Sequence, residues 1–263
     1  MAIFQMARQR SSDSGFTERQ KLILSGLYLS KFDSDGLRSL GFDTFTEAFN
    51  AIGYALGSQP ASVKNYRDEF DPLFPNQRKG WRNRPIRGYC REIYDLYKRL
   101  GLDDFTGLIR SFFSLGDDVL TEATHAEQQD EGSSAFAQRL VTGLAAERYF
   151  ESICGSLPTF QGLALENTTA LGCGYDFRLR PVSEGAEFLA VEVKGLMGRS
   201  GGVALTQKEY DAAARIKERF FLFVVSNFRE TPTHAIYRDP LCGGLNFRRT
   251  ERVIVQVSWL TSV

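Results

Sequence analysis

In the segment FLAVEVKG, Glu192 and Lys194 stand two residues apart among apolar neighbours. Side chains two apart on a strand share a face, so this pair projects together while Val191 and Val193 face the other way. Asp176 lies on the preceding β-like segment, and PVSEGAE at 181–187 supplies the Pro, Ser and Gly of a turn between the two. Antiparallel pairing through that turn would bring the carboxylates of Asp176 and Glu192 together. Two such groups repel unless a cation neutralises them, and Mg²⁺, a hard ion that prefers oxygen, does so best. Such an ion polarises a phosphoryl oxygen and lowers the pKa of a bound water, while an ammonium beside it orients that water or stabilises developing charge. Hydrolysis of a phosphodiester is the chemistry that suits these groups. The alternative for an isolated E-x-K is an ion pair on a solvated strand with Asp176 in a turn. The apolar flanks and the elements around it favour the catalytic reading.

Several elements must position these residues. Residues 135–154 carry helical periodicity through Leu140, Leu144 and Ile153, and Glu147, one turn from Leu144 and from Phe150, borders the buried side. It is placed to add a carboxylate. Strands are expected at 175–179 and 188–194, followed by a glycine-rich loop at 195–203. The capping box Thr206-x-x-Glu209 opens a helix expected to run to about Phe220. Gln207, at its start, is either a pocket residue or a plain surface glutamine. The run FFLFVV within 220–226 lacks alternation and reads as a strand covered on both faces. A last strand is expected at 253–257.

This order, with Asp176 on one strand, Glu192-Val193-Lys194 on the next and Glu147 on the preceding helix, resembles the PD-(D/E)XK nucleases, whose core is αβββαβ. More narrowly, TGLAAERYF, GCGYDFRL, FLAVEVKG and LTQKEYDAA followed by FFLFVV look like the Mrr-like or NERD-like branch of restriction and defence proteins. The residue before Asp176 is Tyr where the motif has Pro. The resemblance covers residues 135–263. It implies metal binding by Asp176 and Glu192, a water-orienting or charge-stabilising role for Lys194, and a supporting role for Glu147.

Upstream the periodicity is wholly helical, through Leu22, Ile23 and Leu27, then Phe45, Phe49, Ile52 and Leu56, and later Ile86, Cys90, Ile93 and Tyr97. Capping boxes at Thr17-x-x-Gln20 and Thr44-x-x-Glu47 fix two helix starts. A break at 57–59 followed by PASVKNYRDEF predicts a helix-turn-helix, with Pro60 accepted in the first helical turn. Ser62, Lys64, Asn65 and Arg67 lie early in the second helix, where such side chains donate to base edges and phosphates. Downstream, Arg78, Lys79, Arg82, Arg84 and Arg87 surround Trp81 with no acid in the segment QRKGWRNRPIRGY, a candidate phosphate-binding surface. Trp81 is open to stacking or to packing on the helices.

Composition sets the outer limits. The chain has 263 residues, 43% hydrophobic and 24% charged, with 32 basic and 32 acidic side chains. These values exclude a disordered or disulfide-scaffold protein, and no global charge advertises a partner. Four scattered cysteines, none in a C-x-x-C pair, fit a reducing compartment and argue against zinc. No apolar run approaches the ~20 residues of a membrane span. The apolar residues vanish at 121–134, which reads as a linker.

The expected architecture is α+β in two domains. An all-helical, helix-turn-helix or winged-helix-like DNA-recognition domain occupies 1–120, a linker 121–134, and an α/β PD-(D/E)XK nuclease core 135–263. The expected function is that of a site-specific, type II-like restriction endonuclease. It would hydrolyse double-stranded DNA with Mg²⁺ in the cytoplasm, as a homodimer at least when cleaving, with a cognate methyltransferase encoded separately. A modification-dependent defence endonuclease and a non-catalytic DNA-binding regulator on a nuclease scaffold are the alternatives.

Overall fold

The computed structural model describes residues 15–76, 78, 80–81, 83–113, 133–181 and 187–251. Five helices come first: α1 (Glu18–Ser39), α2 (Phe45–Ala55), α3 (Pro60–Phe70), α4 (Gly88–Tyr97) and α5 (Leu102–Ser111). Helix α6 (Ser133–Ile153) leads into strands β1 (Leu163–Asn167), β2 (Phe177–Pro181) and β3 (Leu189–Gly195). Helix α7 (Gln207–Ile216), β4 (Phe220–Ser226) and β5 (Thr233–Arg238) complete the described chain. The protein is thus α+β, a helical N-terminal region joined to a mixed sheet of order β1-β2-β3-β4-β5. No helix among the described residues is long and apolar enough to cross a membrane.

All three capping boxes form. Thr17, Thr44 and Thr206 each accept from the backbone N–H three residues on, and Gln20, Glu47 and Glu209 return the bond to the cap residue. Each cap satisfies amide groups that the first helical turn leaves without partners. Helix α7 stops at Ile216, short of Phe220. Lys217 takes a positive φ of 55°, and a single 3₁₀ turn delivers the chain to β4.

Strand β4 lies between β3 and β5 and runs parallel to β3, with Leu222 opposite Glu192 and Val224 opposite Lys194. Six of its seven residues are buried, as the unbroken apolar run requires. Phe221, Phe223 and Val225 join Val191 and Val193 in the main core, while Phe220 and Ala190 pack with Ala212, Ala213 and Ile216 of α7 on the opposite face. Burying each such large apolar side chain stabilises the fold by about 1.5–3 kcal/mol.

Strands β2 and β3 pair antiparallel, Phe177 opposite Val191. Strand β2 begins at Phe177, two residues later than the sequence predicts. Asp176 stands just before it, although its N–H still donates to Val191 O at 3.1 Å. Gly174, with φ of 87°, makes this approach possible, because a Cβ there would lie 2.6 Å from the carbonyl of Lys208 on α7. The residue pattern places no strand at β1 or β5, although the αβββαβ core implied by the resemblance has a third strand before its second helix. Both are edge strands with largely exposed side chains and carry no strong hydrophobic signature.

Helix α6 begins at Ser133, inside the stretch expected to be a linker. Residues 121–132 of that stretch, the strand expected at 253–257, and Lys79 and Arg82 lie outside the described residues. One continuous apolar core runs from α1 through α2 and α6 to the sheet. Its seam is also polar: Asn50 Nδ2 donates to the carbonyls of Phe228 at 2.7 Å and Glu230 at 2.8 Å, and Arg229 pairs with the buried Glu47 at 2.9 Å.

Candidate active site

Asp176, Glu192 and Lys194 meet at one open cavity of about 510 Å³, bounded by α6, the end of β3, the loop after it and the start of α7. Glu147 lines the same cavity from α6, and so does Glu209 from α7. The alternation of β3 sends Glu192 and Lys194 to the face that α7 covers. Lys194 Nζ lies 2.6 Å from Glu192 Oε1 and 2.9 Å from Glu209 Oε2. The Asp176 carboxylate accepts from the Val193 N–H through Oδ2 at 2.8 Å, which ties it to the middle of the E-x-K tripeptide and leaves Oδ1 for another partner.

The electrostatics follow from crowding in a sparsely solvated place. Glu192 is 2% exposed. Burial, reinforced by the charge of Asp176, raises its pKa well above the ordinary carboxyl range, against the pull of Lys194. Burial lifts Asp176 to about 6, although the Val193 N–H and Lys194 favour its ionised form. Glu147 is pushed up to about 8, first by burial and then by the charges of Asp176 and Glu151. For Lys194, burial works against the ammonium, but Glu192 and Glu209 outweigh it and raise its pKa.

Among the described residues, no three of His, Cys, Asp and Glu stand close enough together to hold a metal ion by themselves. Mg²⁺ makes a smaller demand: it keeps several waters and commonly binds through one or two carboxylates plus substrate phosphates. Asp176 and Glu192 meet that demand. Each keeps an oxygen beyond the one engaged by Val193 or Lys194, and the carboxyl groups in the cavity outnumber its cations, Lys194 and Arg139.

Residues 147–237 match the family model described as Protein NO VEIN, C-terminal. The matched stretch opens at Glu147 and takes in Asp176, Glu192, Lys194 and Glu209, so the cavity's carboxyl groups and its lysine fall within it, while Arg139 lies before it. No curated protein and no solved structure matches the chain.

Glu209 and Arg139 are charged pocket residues that the sequence did not single out, Glu209 because its capping role accounted for it fully. Glu209 Oε2 accepts from Thr206 N at 2.9 Å and from Lys194 at the same distance. The sequence carried a signal for the cap alone, because the contact with Lys194 depends on how α7 packs over β3. Gln207 is exposed, donates to Asp211 Oδ1 at 2.8 Å, and lines a different cavity.

The candidate DNA-contacting residues separate into two groups. Lys64 and Asn65 are exposed on α3, Lys64 lying 3.9 Å from Asp68, and the half-buried Ser62 accepts from Ser58 Oγ at 2.9 Å. Arg67 is 8% exposed, hydrogen-bonds Asp68 through Nε at 2.9 Å, and stacks over Phe45 and Phe49. Arg78 grips the fully buried Asp71 through Nε at 2.9 Å and Nη2 at 2.8 Å, and pairs with Asp33 at 2.8 Å. Arg87 donates to the buried Glu69 through Nε at 2.6 Å and through Nη2, while Arg84 lies 3.7 Å from Glu69 and 3.9 Å over the Trp81 ring. The segment has no acid of its own, but the fold brings acids to it from α1, α3 and the turn that follows α3. For Arg67, Arg78 and Arg87 the structure therefore describes a framework of ion pairs within the helical region.

Proposed function

We propose that the cavity binds Mg²⁺ and hydrolyses phosphodiester bonds of double-stranded DNA, as a restriction-type endonuclease of the PD-(D/E)XK kind. The observation that carries this reading is the convergence of Glu147 from α6, Asp176 from just before β2, and Glu192 and Lys194 from β3 on one open cavity. Buried carboxylates and ammonium groups cost solvation, and apolar residues would serve a mere scaffold better. The element order α6-β1-β2-β3-α7-β4 also follows the αβββαβ order that the resemblance implies.

Asp176 and Glu192 would hold the ion. When bound, it would supply charge neutralisation at the phosphoryl oxygen and a lower pKa for the attacking water. Lys194 is kept charged by Glu192 and Glu209, so its part is to orient that water or to stabilise developing negative charge, not to accept a proton. Glu147 retains a proton near neutral pH in the metal-free protein, which lessens its repulsion with the charge of Asp176 in the same cavity. DNA reading falls to the exposed part of α3, with Lys64 and Asn65, and to Arg84. One centre per chain and two strands to cut make a homodimer at cleavage the economical arrangement.

The test is digestion of matched methylated and unmethylated plasmids with Mg²⁺ or a chelator. Cutting that requires Mg²⁺ and spares methylated DNA supports the site-specific enzyme, whereas cutting of methylated DNA alone assigns a modification-dependent one. DNA that is bound but intact on every substrate overturns catalysis and leaves a DNA-binding regulator.

A further inference from the structure

Gly143 lies inside helix α6, one turn before Glu147 and on the same face, and it lines the cavity. A glycine within a helix sacrifices backbone order that alanine would keep. Close packing commonly explains such a residue, and nearby it does: a Cβ on Gly195 would lie 2.7 Å from the Thr142 carbonyl, so Gly195 is bare to let α6 sit against β3. Gly143 has no such reason, since a Cβ built there meets nothing within 4 Å. Gly202 in the loop after β3 lines the same cavity, and a Cβ built there likewise meets nothing within 4 Å. At these two positions of the cavity lining the chain carries no side chain, although the protein itself leaves room for one.

We infer that Gly143 is a positioning residue whose missing side chain leaves the space in which the substrate's sugar-phosphate backbone lies above Asp176 and Glu192. This inference rests on the DNA-cleaving reading and adds the place of entry. A rigid, bulky polymer reaching a recessed site needs clearance where its backbone passes, and a side chain at that point would hold the phosphate away from the carboxylates. A displacement of about 1 Å at a reacting centre is enough to lower a rate about a hundredfold.

The experiment compares wild type with Gly143→Ala and Gly143→Leu in the full chain, measuring melting temperature, Mn²⁺ affinity in place of Mg²⁺, and cleavage of plasmid DNA. Melting should rise by about 2–4 °C for alanine, because helix propensity improves with no clash. Mn²⁺ binding should stay as in wild type, while cleavage falls modestly for alanine and about a hundredfold for leucine. A leucine variant that melts and cuts like wild type overturns the inference and leaves the nuclease reading standing. Loss of cutting together with Mn²⁺ affinity also overturns it, because the substitution has then disturbed the carboxylates. A wild-type protein that cuts no DNA removes the nuclease reading itself, and the inference with it.

Discussion

Lys194 on β3 and Glu209 on α7 are joined by a 2.9 Å ion pair, and the same Glu209 oxygen accepts the Thr206 N–H that starts the helix. One carboxylate thus fixes both where α7 begins and where the lysine ammonium sits. Glu209→Gln retains a group able to complete the capping box but removes the charge that favours the ammonium. Its melting temperature should stay close to wild type while Mg²⁺-dependent cleavage falls about tenfold or more. Thr206→Ala should do the reverse, losing about 1 kcal/mol of stability with cleavage retained. Urea melts and single-turnover cleavage of the two variants separate the roles. Equal cleavage by Glu209→Gln would show that the ion pair does not set the lysine.

The raised pKa of Glu147 makes stability depend on pH in the metal-free protein. A carboxyl lifted to about 8 binds its proton more tightly folded than unfolded. Its favourable contribution is full below the unfolded value, about 4.3, and is lost as pH rises through the folded value. Melting temperature without metal should therefore fall between these limits, and Glu147→Gln should flatten that decline. An unchanged slope in the variant would place the titrating group elsewhere.

Asp71 is fully buried and held by Arg78, with Ser30 Oγ donating to it at 2.7 Å. Removing the arginine leaves a buried carboxylate short of its main partner. Arg78→Ala should destabilise the protein by about 3 kcal/mol in urea unfolding. A variant as stable as wild type, with weakened DNA binding, would return Arg78 to the DNA-contacting surface.

The helical region and the sheet share one core, and Asn50 seals the seam by donating to two carbonyls on the chain after β4. Asn50→Ala leaves both acceptors without that donor and should cost about 1–3 kcal/mol. Because the core is continuous, unfolding should remain a single transition. Two resolved transitions in the wild type would show that the regions fold independently.

What the sequence revealed depended on whether a signal was local. The three capping boxes lie within four residues each, and the burial of β4 follows from an unbroken apolar run. The shared face of Glu192 and Lys194 follows from strand alternation. Strands β1 and β5 stayed hidden because edge strands, solvated on one side, need little apolar pattern. The pairing of Arg78 with Asp33 and of Arg87 with Glu69 joins residues distant along the chain, so the segment's excess of positive charge gave no sign of its partners. Glu209 was legible as a cap but not as a pocket residue, since the turn that returns it to Lys194 depends on how α7 packs over β3.

The most direct test is single-turnover cleavage of duplex DNA by wild type, Asp176→Ala and Lys194→Ala, with binding to the same DNA measured in parallel. Wild type should cut only with Mg²⁺, and each variant should bind normally while losing cleavage by about a hundredfold to a thousandfold. Cleavage by either variant at the wild-type rate would contradict a reaction centred on these side chains.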